Sequence, residues 1–157
     1  MNQESIDQIV NNIINEITNK KMITLKKAAA LIGKVETEAA KMGIAVVIAV
    51  SDASARPVAV HCMDGAYIGS FDIALNKTFT STGFKMSTEA LGRLSQPGES
   101  LYGIQHTNQG KVVVFGGGEP LIINDTLVGA LGISGGTLEE DTYLAAYGKK
   151  EFEQEKE

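Results

Sequence analysis

Leu121-Ile122-Ile123-Asn124-Asp125-Thr126-Leu127-Val128-Gly129-Ala130-Leu131-Gly132-Ile133 reads as two β-strands joined by a two-residue turn. Asn and Asp tolerate the positive φ that a tight hairpin demands, and apolar residues dominate both flanks. A further strand is expected over Lys111–Phe115, ended by Gly116-Gly117-Gly118. Upstream, residues 45–50 are apolar at every position, which suits a central strand covered on both faces. Beyond the turn region Ser51–Pro57, Val58–Met63 reads as its antiparallel partner. Strands clustered with short turns argue for an α+β fold, with an antiparallel sheet of about five strands flanked by helices, rather than a doubly wound one.

Helical periodicity fills the rest of the chain. Leu25, Ala28, Ala29, Leu31, Ile32, Val35, Ala39 and Met42 recur at spacings that line one face of a helix over 25–41, with Thr24 as N-cap and Gly43 past the end. Helices are also expected over 68–81, 88–94 and 138–152, with a fraying charged tail. The first segment stands apart. Ile6, Ile9, Val10, Ile13, Ile14 and Ile17 form one stripe over 5–19, opposite Asp7, Asn11, Asn12, Asn15 and Glu16. Ser5 and Gln8 fit a capping box, and Thr18–Met22 reads as a polar linker. A helix this short is marginal alone, so its stripe needs a cover: its own core, an oligomer, or a docking partner. The expected division is 1–22 as helix and linker, and 23–157 as the domain.

The composition narrows the class. With 157 residues, 43% of them apolar, the chain fits one domain with a sizeable core. No run approaches the length of a membrane span, and the N-terminus has neither a basic region nor a continuous apolar one, so no membrane or secretory role is expected. Lys and Arg total 14 against 19 Asp and Glu, which leaves no basic stripe for nucleic acid. A lone Cys62 forms no disulfide framework and no Cys-x-x-Cys metal site, and a cytoplasmic protein is expected.

Several residues carry candidate chemistry. Gly132-Ile133-Ser134-Gly135-Gly136 matches the G-x-S-x-G pattern of serine hydrolases, but neither His61 nor His106 follows Ser134 in the chain, so a hydrolase is not expected. Ser134–Thr137 leads into the last helix. Its free N–H groups, including those of Gly135 and Gly136, suit an anion. Equally, Thr137 caps that helix and Gly129 and Gly132 let it approach the sheet, while Glu139, Glu140 and Asp141 satisfy the dipole from within. Gly117 and Gly118 free backbone for a ligand or a sharp bend, without the Lys-Ser/Thr of a P-loop or a dinucleotide fingerprint, so no nucleotide site is expected. His61-Cys62-Met63 strings together soft-metal or haem ligands, of which at most His61 and Met63 share a side. A lone strand His is more often packed or exposed than a ligand. His106, in a Gly-rich loop, has the freedom to reach an iron; no spacing supports zinc. Asp64 and Lys77 place an acid and a base near one sheet end. Lys77 is expected to pair with Asp64 or Asp72, or to face a cofactor.

Thr24-Leu25, Val50-Ser51-Asp52, Met63-Asp64-Gly65-Ala66, Asp72-Ile73-Ala74 with Lys77, Gly117-Gly118-x-Pro120, Val128–Gly136 and Asp141 recur in order. Together, over residues 23–150, they resemble the GlcG/HbpS-like family, and with His61–Ala66 and Gln96–Ser100 they look closest to the PduO C-terminal-domain type. Many relatives have Arg where Cys62 stands, and a Gly at the Asn124-Asp125 turn. The resemblance implies a profilin-like fold in a homo-oligomer, and haem binding in some members. The adenosyltransferase activity of PduO belongs to a domain outside the match, so that activity is not expected here. The N-terminal stripe resembles the encapsulation peptides that route enzymes into bacterial microcompartments.

The leading expectation is therefore an accessory protein of the microcompartment lumen that binds haem or a corrinoid in cobalamin-dependent diol metabolism. Its cofactor site would draw on His61, Asp64, Lys77, His106, Gly117, Gly118, Gly135, Gly136 and Asp141, with His61 and His106 as the haem-ligand candidates. Residues 5–19 would meet a shell protein. The alternatives are a small-molecule enzyme acting on a hydroxy acid or aldehyde at the Gly-rich loops, and a structural oligomer.

Overall fold

The computed structural model describes residues 3–20 and 22–154. Helix α1 spans Gln3–Lys20 and α2 spans Leu25–Met42; strands β1, Val47–Asp52, and β2, Pro57–Cys62, follow. Helices α3, Ser70–Phe84, and α4, Thr88–Leu94, lead through two 3-10 turns, Ile104–His106 and Asn108–Gly110, to strands β3, Gly118–Ile123, and β4, Thr126–Ser134. Helix α5, Leu138–Gln154, ends the description. The four strands form one antiparallel sheet in the order β2-β1-β4-β3. This is the expected α+β class with one strand fewer.

The missing strand is Lys111–Phe115. Val112 and Val113 are buried, as their sequence suggests, but the segment joins no ladder. The Val113 N–H donates instead to Thr80 Oγ1 of α3 at 2.9 Å. A helix hydroxyl thus takes the bond that a neighbouring strand would have made, and pairing starts only at the last of the three glycines, Gly118.

Local chemistry sets the other boundaries. Thr24 Oγ1 accepts from the Lys27 N–H at 3.2 Å to start α2, and Gly43 ends it at φ 73°. Asn124 and Asp125 turn the β3–β4 hairpin at φ 46° and 59°. Thr137 and Glu140 exchange side-chain bonds with each other's N–H groups, a capping box at the start of α5. Helix α1 already includes Gln3, so Ser5 lies within it rather than capping it, and the helix runs through Lys20 into the expected linker. The place of the Ile17 side chain and the tail beyond Gln154 lie outside the described residues.

Each face of the sheet is covered differently. On one side Leu31, Ile32 and Val35 of α2 and Leu144 and Phe152 of α5 pack on Val46, Ile48, Val50, Leu131 and Ile133. Each such fully buried side chain contributes about 1.5–3 kcal/mol. Leu25 and Ala29, expected on this face, are exposed; Ala29 follows the buried Ala28 and points about 100° round the helix from it. On the other side the apolar cluster is small: Val47, Ala49 and Ala74. Helix α3 instead buries Lys77, Thr78, Thr80, Ser81 and Thr82. It lies so close that a Cβ on Gly132 would strike the Ala74 carbonyl oxygen. Gly132 therefore admits α3, not the last helix; α5 gains its own approach through Gly148, against Leu131 and Val35. Gly129 faces the Ser51 carbonyl of β1 rather than α5.

These contacts set opposite signs for two glycine substitutions. Gly132→Ala should lower unfolding stability by about 1–3 kcal/mol, since backbone must shift. Gly33→Ala, in α2 with nothing within 4 Å of the added carbon, should raise it by about 0.5–1 kcal/mol. Urea midpoints measure both; a tolerated Gly132→Ala would contradict the close approach of α3.

Candidate functional site

A buried ion pair joins the two faces of the sheet. Lys77 of α3 is fully enclosed, and its Nζ donates to Asp141 Oδ2 of α5 at 3.0 Å and to the Ile133 carbonyl of β4. Asp141 Oδ1 accepts from the Gly136 N–H at 2.9 Å, and the Gly135 N–H adds to the same carboxylate. Burial pushes Lys77 below the ordinary lysine range, opposed by the Asp141 charge. Burial likewise pushes Asp141 up, opposed by Lys77 and the two backbone donors.

The glycines after Val114 fold over this pair. Gly117 takes φ 107°, and a Cβ there would fall 2.5 Å from Lys77 Nζ and 2.8 Å from the Ile133 carbonyl oxygen. Only glycine satisfies both the conformation and the space. Its carbonyl accepts from the Ile133 N–H at 2.8 Å, and the Gly118 N–H donates to Thr88 Oγ1 at 2.9 Å. The bend lays the Phe115 ring over Lys77, with Nζ 5.1 Å from its centroid, in cation–π range. The other side of that ring faces out, since Phe115 is 45% exposed.

Phe115 and Gly116 line a cleft of about 680 Å³ between α4 and α5. Gly92 and Val114 form one wall, Leu138, Thr142 and Tyr143 the other. Gly92 makes the narrow side possible, because a Cβ there would collide with the Val114 carbonyl oxygen. Arg93 stands at the rim, paired with Glu89 at 3.0 Å. The Tyr143 hydroxyl donates to Glu38 Oε1 at 2.9 Å, and that carboxylate holds the phenol above its usual range. Most of the lining surface is apolar, and Glu89, Arg93, Gln96, Glu139, Thr142 and Tyr143 add polar side chains to it.

Among the residues singled out in the sequence, the structure brings Lys77, Gly117, Gly118, Gly135, Gly136 and Asp141 together around the buried pair, and Gly135 and Gly136 line a separate hollow with Gly65, Tyr67 and Thr137. Lys77 pairs with Asp141, not with Asp64 or Asp72. His61, on β2, is half exposed, with Nδ1 2.7 Å from Glu36 Oε1 of α2. Asp64 is exposed beside Cys62 and Met63 in a separate hollow, and His106 is exposed in the first 3-10 turn. None of these three lines the cleft. The N–H groups before α5 do not await an anion: Asp141 holds that of Gly136, and Glu140 Oε2 accepts from Thr137 at 2.7 Å. Among the described residues, no three His, Cys, Asp or Glu side chains are grouped to hold a metal ion, and no helix is long and apolar enough to cross a membrane. Phe115, Arg93, Leu138 and Tyr143 were not marked by the sequence; a glycine within the short helix Thr88–Leu94 was the available signal of a close approach.

The profile of the family described as "Haem degrading protein HbpS-like" matches residues 23–150. An uncharacterized 15.0 kDa protein from the dhaT-dhaS intergenic region of Citrobacter freundii is 42% identical over 78% of this chain and 87% of its own. The corrinoid adenosyltransferase PduO of the same organism is 32% identical over 90% of this chain, which spans only 47% of that protein. A solved structure of PduOC in complex with haem superposes with a TM-score of 0.79 at 32% identity, over 82% of this chain and 94% of that one.

Removing one partner of the buried pair should be costly. Lys77→Met leaves the Asp141 carboxylate uncompensated and should lower stability by about 3–5 kcal/mol, whereas Lys77→Met/Asp141→Leu should recover most of the loss. Without Lys77, the Asp141 carboxyl titrates higher still. A raised carboxyl favours the folded state below its ordinary value of 3.8 and loses that advantage as pH rises through its native value. The Lys77→Met deficit relative to wild type should therefore shrink on acidification. Chemical denaturation at several pH values checks this, and a pH-independent deficit would show that the titration of Asp141 does not change when Lys77 is lost.

Proposed function

The chain belongs to the HbpS-like family, and from that footing we propose that it is an accessory haem-binding protein whose α4–α5 cleft receives the ligand. The cleft carries the proposal. At about 680 Å³ it lies within the roughly 300–1,000 Å³ of small-molecule sites. Its floor and walls (Gly92, Val114, Phe115, Gly116 and Leu138) suit a flat apolar ring, and the Arg93 guanidinium at the rim suits a peripheral carboxylate. The haem complex of PduOC, a relative at 32% identity, supports the choice of ligand.

Haem, when bound, supplies redox and oxygen chemistry at iron. The chain's own contribution is to orient the ring on Phe115 and Leu138, exclude water from its inner face and hold a carboxylate at Arg93. Tyr143 is the cleft residue whose side chain is of a type that ligates haem iron. His61 and His106 remain proposed ligands only if they reach the ligand from outside this cleft. A corrinoid is the alternative ligand, favoured by the likeness to an adenosyltransferase named for that cofactor.

The setting we propose is a bacterial microcompartment. Ile6, Ile9, Val10, Ile13 and Ile14 of α1 are between 38% and 53% exposed and form an apolar stripe along the helix. Residues 5–19 would lay this stripe into a groove of a shell protein, as amphipathic helices do. Residues 23–157 would form the cofactor-binding domain.

Haemin titration of the full chain should give a saturable Soret shift. Leu138→Asp, at the half-exposed first residue of α5, should weaken it about tenfold or more by placing a charge against the ring. His61→Ala and His106→Ala identify any imidazole ligand by a changed Soret position. A featureless haemin titration beside saturable binding of cob(II)alamin would replace haem by a corrinoid; no saturable change with either would overturn the cofactor proposal. Deleting residues 1–21 should abolish co-purification with microcompartment shells while leaving the thermal midpoint of the remainder unchanged, and a truncated protein that still enters shells would refute the docking role of α1.

A further inference from the structure

Lys77 is the only buried lysine among the described residues, and its amine stands just behind the wall of the cleft. An ammonium has three N–H groups to place. One meets Asp141 Oδ2 at 3.0 Å, and another meets the Ile133 carbonyl. The remaining side of Nζ has the Phe115 ring over it, 5.1 Å to the centroid. Phe115 also lines the cleft, as does Thr142, the residue after Asp141. The aromatic ring thus stands between an enclosed amine with its carboxylate and a space of ligand size.

The ring has a freedom that its surroundings lack. The backbone beside it is fixed, since the Gly117 carbonyl accepts from the Ile133 N–H and the Gly118 N–H donates to Thr88. The Phe115 side chain is half exposed and has no polar group to anchor it. Turning about χ1 moves the ring outward without breaking either bond, on the fast timescale of exposed rotamers. The uncovered side of Nζ then opens onto the cleft, whose lining includes the apolar Val114 and Leu138. Gly117 keeps that side clear, because a Cβ there would fall 2.5 Å from Nζ.

We infer that Lys77 is an imine-forming amine, which captures a short aliphatic aldehyde entering from the α4–α5 cleft when the Phe115 ring turns out. The inference rests on this cleft being a ligand site, though not on the ligand being haem. Three properties select the chemistry. A desolvated primary amine is a nucleophile toward carbonyl carbon. Passage beside a ring favours the unhindered carbonyl of an aldehyde, and the apolar lining favours a hydrocarbon tail. The carboxylate at 3.0 Å serves the proton transfers. Lys77 first gives one proton to Asp141, a step that burial favours by lowering the amine and raising the acid. The Nζ lone pair then bonds to the aldehyde carbon, and the carbonyl oxygen takes a second proton from nitrogen. Asp141 returns its proton to the resulting hydroxyl, which leaves as water while the carbon–nitrogen double bond forms. The iminium keeps the positive charge and one N–H for the Asp141 carboxylate, so the buried pair survives, and hydrolysis reverses the capture.

Reductive trapping of the full chain with butanal and cyanoborohydride at pH 7, read by peptide mass mapping, tests this. Cyanoborohydride gives hydride to the iminium carbon and leaves a butyl group on the nitrogen. Lys77 should be alkylated about tenfold faster than the exposed Lys26, Lys27 and Lys85. Phe115→Ala, which leaves the opening uncovered, should raise the Lys77 rate further, and low urea should not change it. Lys77 alkylated no faster than the exposed lysines would overturn the inference. So would a folded Phe115→Ala chain of unchanged rate, or a Lys77 rate that climbs with urea as global unfolding does. No tetrapyrrole enters the trapping, so its failure leaves the haemin titration to stand by itself. Lys77 alkylated in a chain that gives no haemin response would uphold the imine and remove only the haem reading.

Discussion

The architecture depends on one buried ion pair. Lys77 and Asp141 come from helices on opposite faces of the sheet and meet at the end of β4, where the Ile133 carbonyl accepts the second lysine bond. Withdrawing two charges from water costs several kcal/mol each, so the pair persists only because its bonding capacity is filled. Asp141 receives the lysine and the N–H groups of Gly135 and Gly136. The consequence spreads along the chain: the bend over the lysine must be glycine at 117, that bend delivers Phe115 to the surface, and Phe115 floors the cleft.

The polar interior on the α3 side follows from the same constraint. A helix held against the sheet by a lysine and admitted by Gly132 has little room for large apolar side chains. Its threonines serve the backbone instead: Thr80 accepts from the Val113 N–H, and the Thr78 hydroxyl donates to the Leu75 carbonyl. Hydrophobic stabilisation is concentrated on the α2–α5 side, where Leu31, Ile32, Leu144 and Phe152 pack. Mass of core on one face and precise polar contact on the other leave the region between α4 and α5 open, with its apolar side chains half exposed.

What the sequence revealed was what depends on neighbours in the chain. The Thr24 cap, the Gly43 stop, the Asn124-Asp125 turn, the fully apolar central strand and the helix Thr88–Leu94 all follow from local periodicity or backbone preference. Lys111–Phe115 reads as a strand because a buried extended segment and a buried strand share one composition; only the destination of the Val113 N–H separates them. The partner of Lys77 lies 64 residues away, and charge alone could not rank it above Asp64 or Asp72. His61 and His106 drew notice as ligand types, while Phe115, Leu138 and Tyr143 looked like ordinary core or surface residues. Their importance comes from the cleft they line, where Gly92 and Gly116 let α4 and α5 close on the Val114–Gly116 backbone.

The central claim is that this cleft is where a tetrapyrrole sits. Amide chemical-shift mapping with a diamagnetic zinc or gallium protoporphyrin tests it most directly, because it reports position without requiring iron chemistry. Perturbations should cluster at Gly92, Val114, Phe115, Gly116, Leu138 and Thr142. A cluster around His61, Cys62 and Asp64 instead, with the α4–α5 residues unmoved, would place the ligand elsewhere and contradict the account.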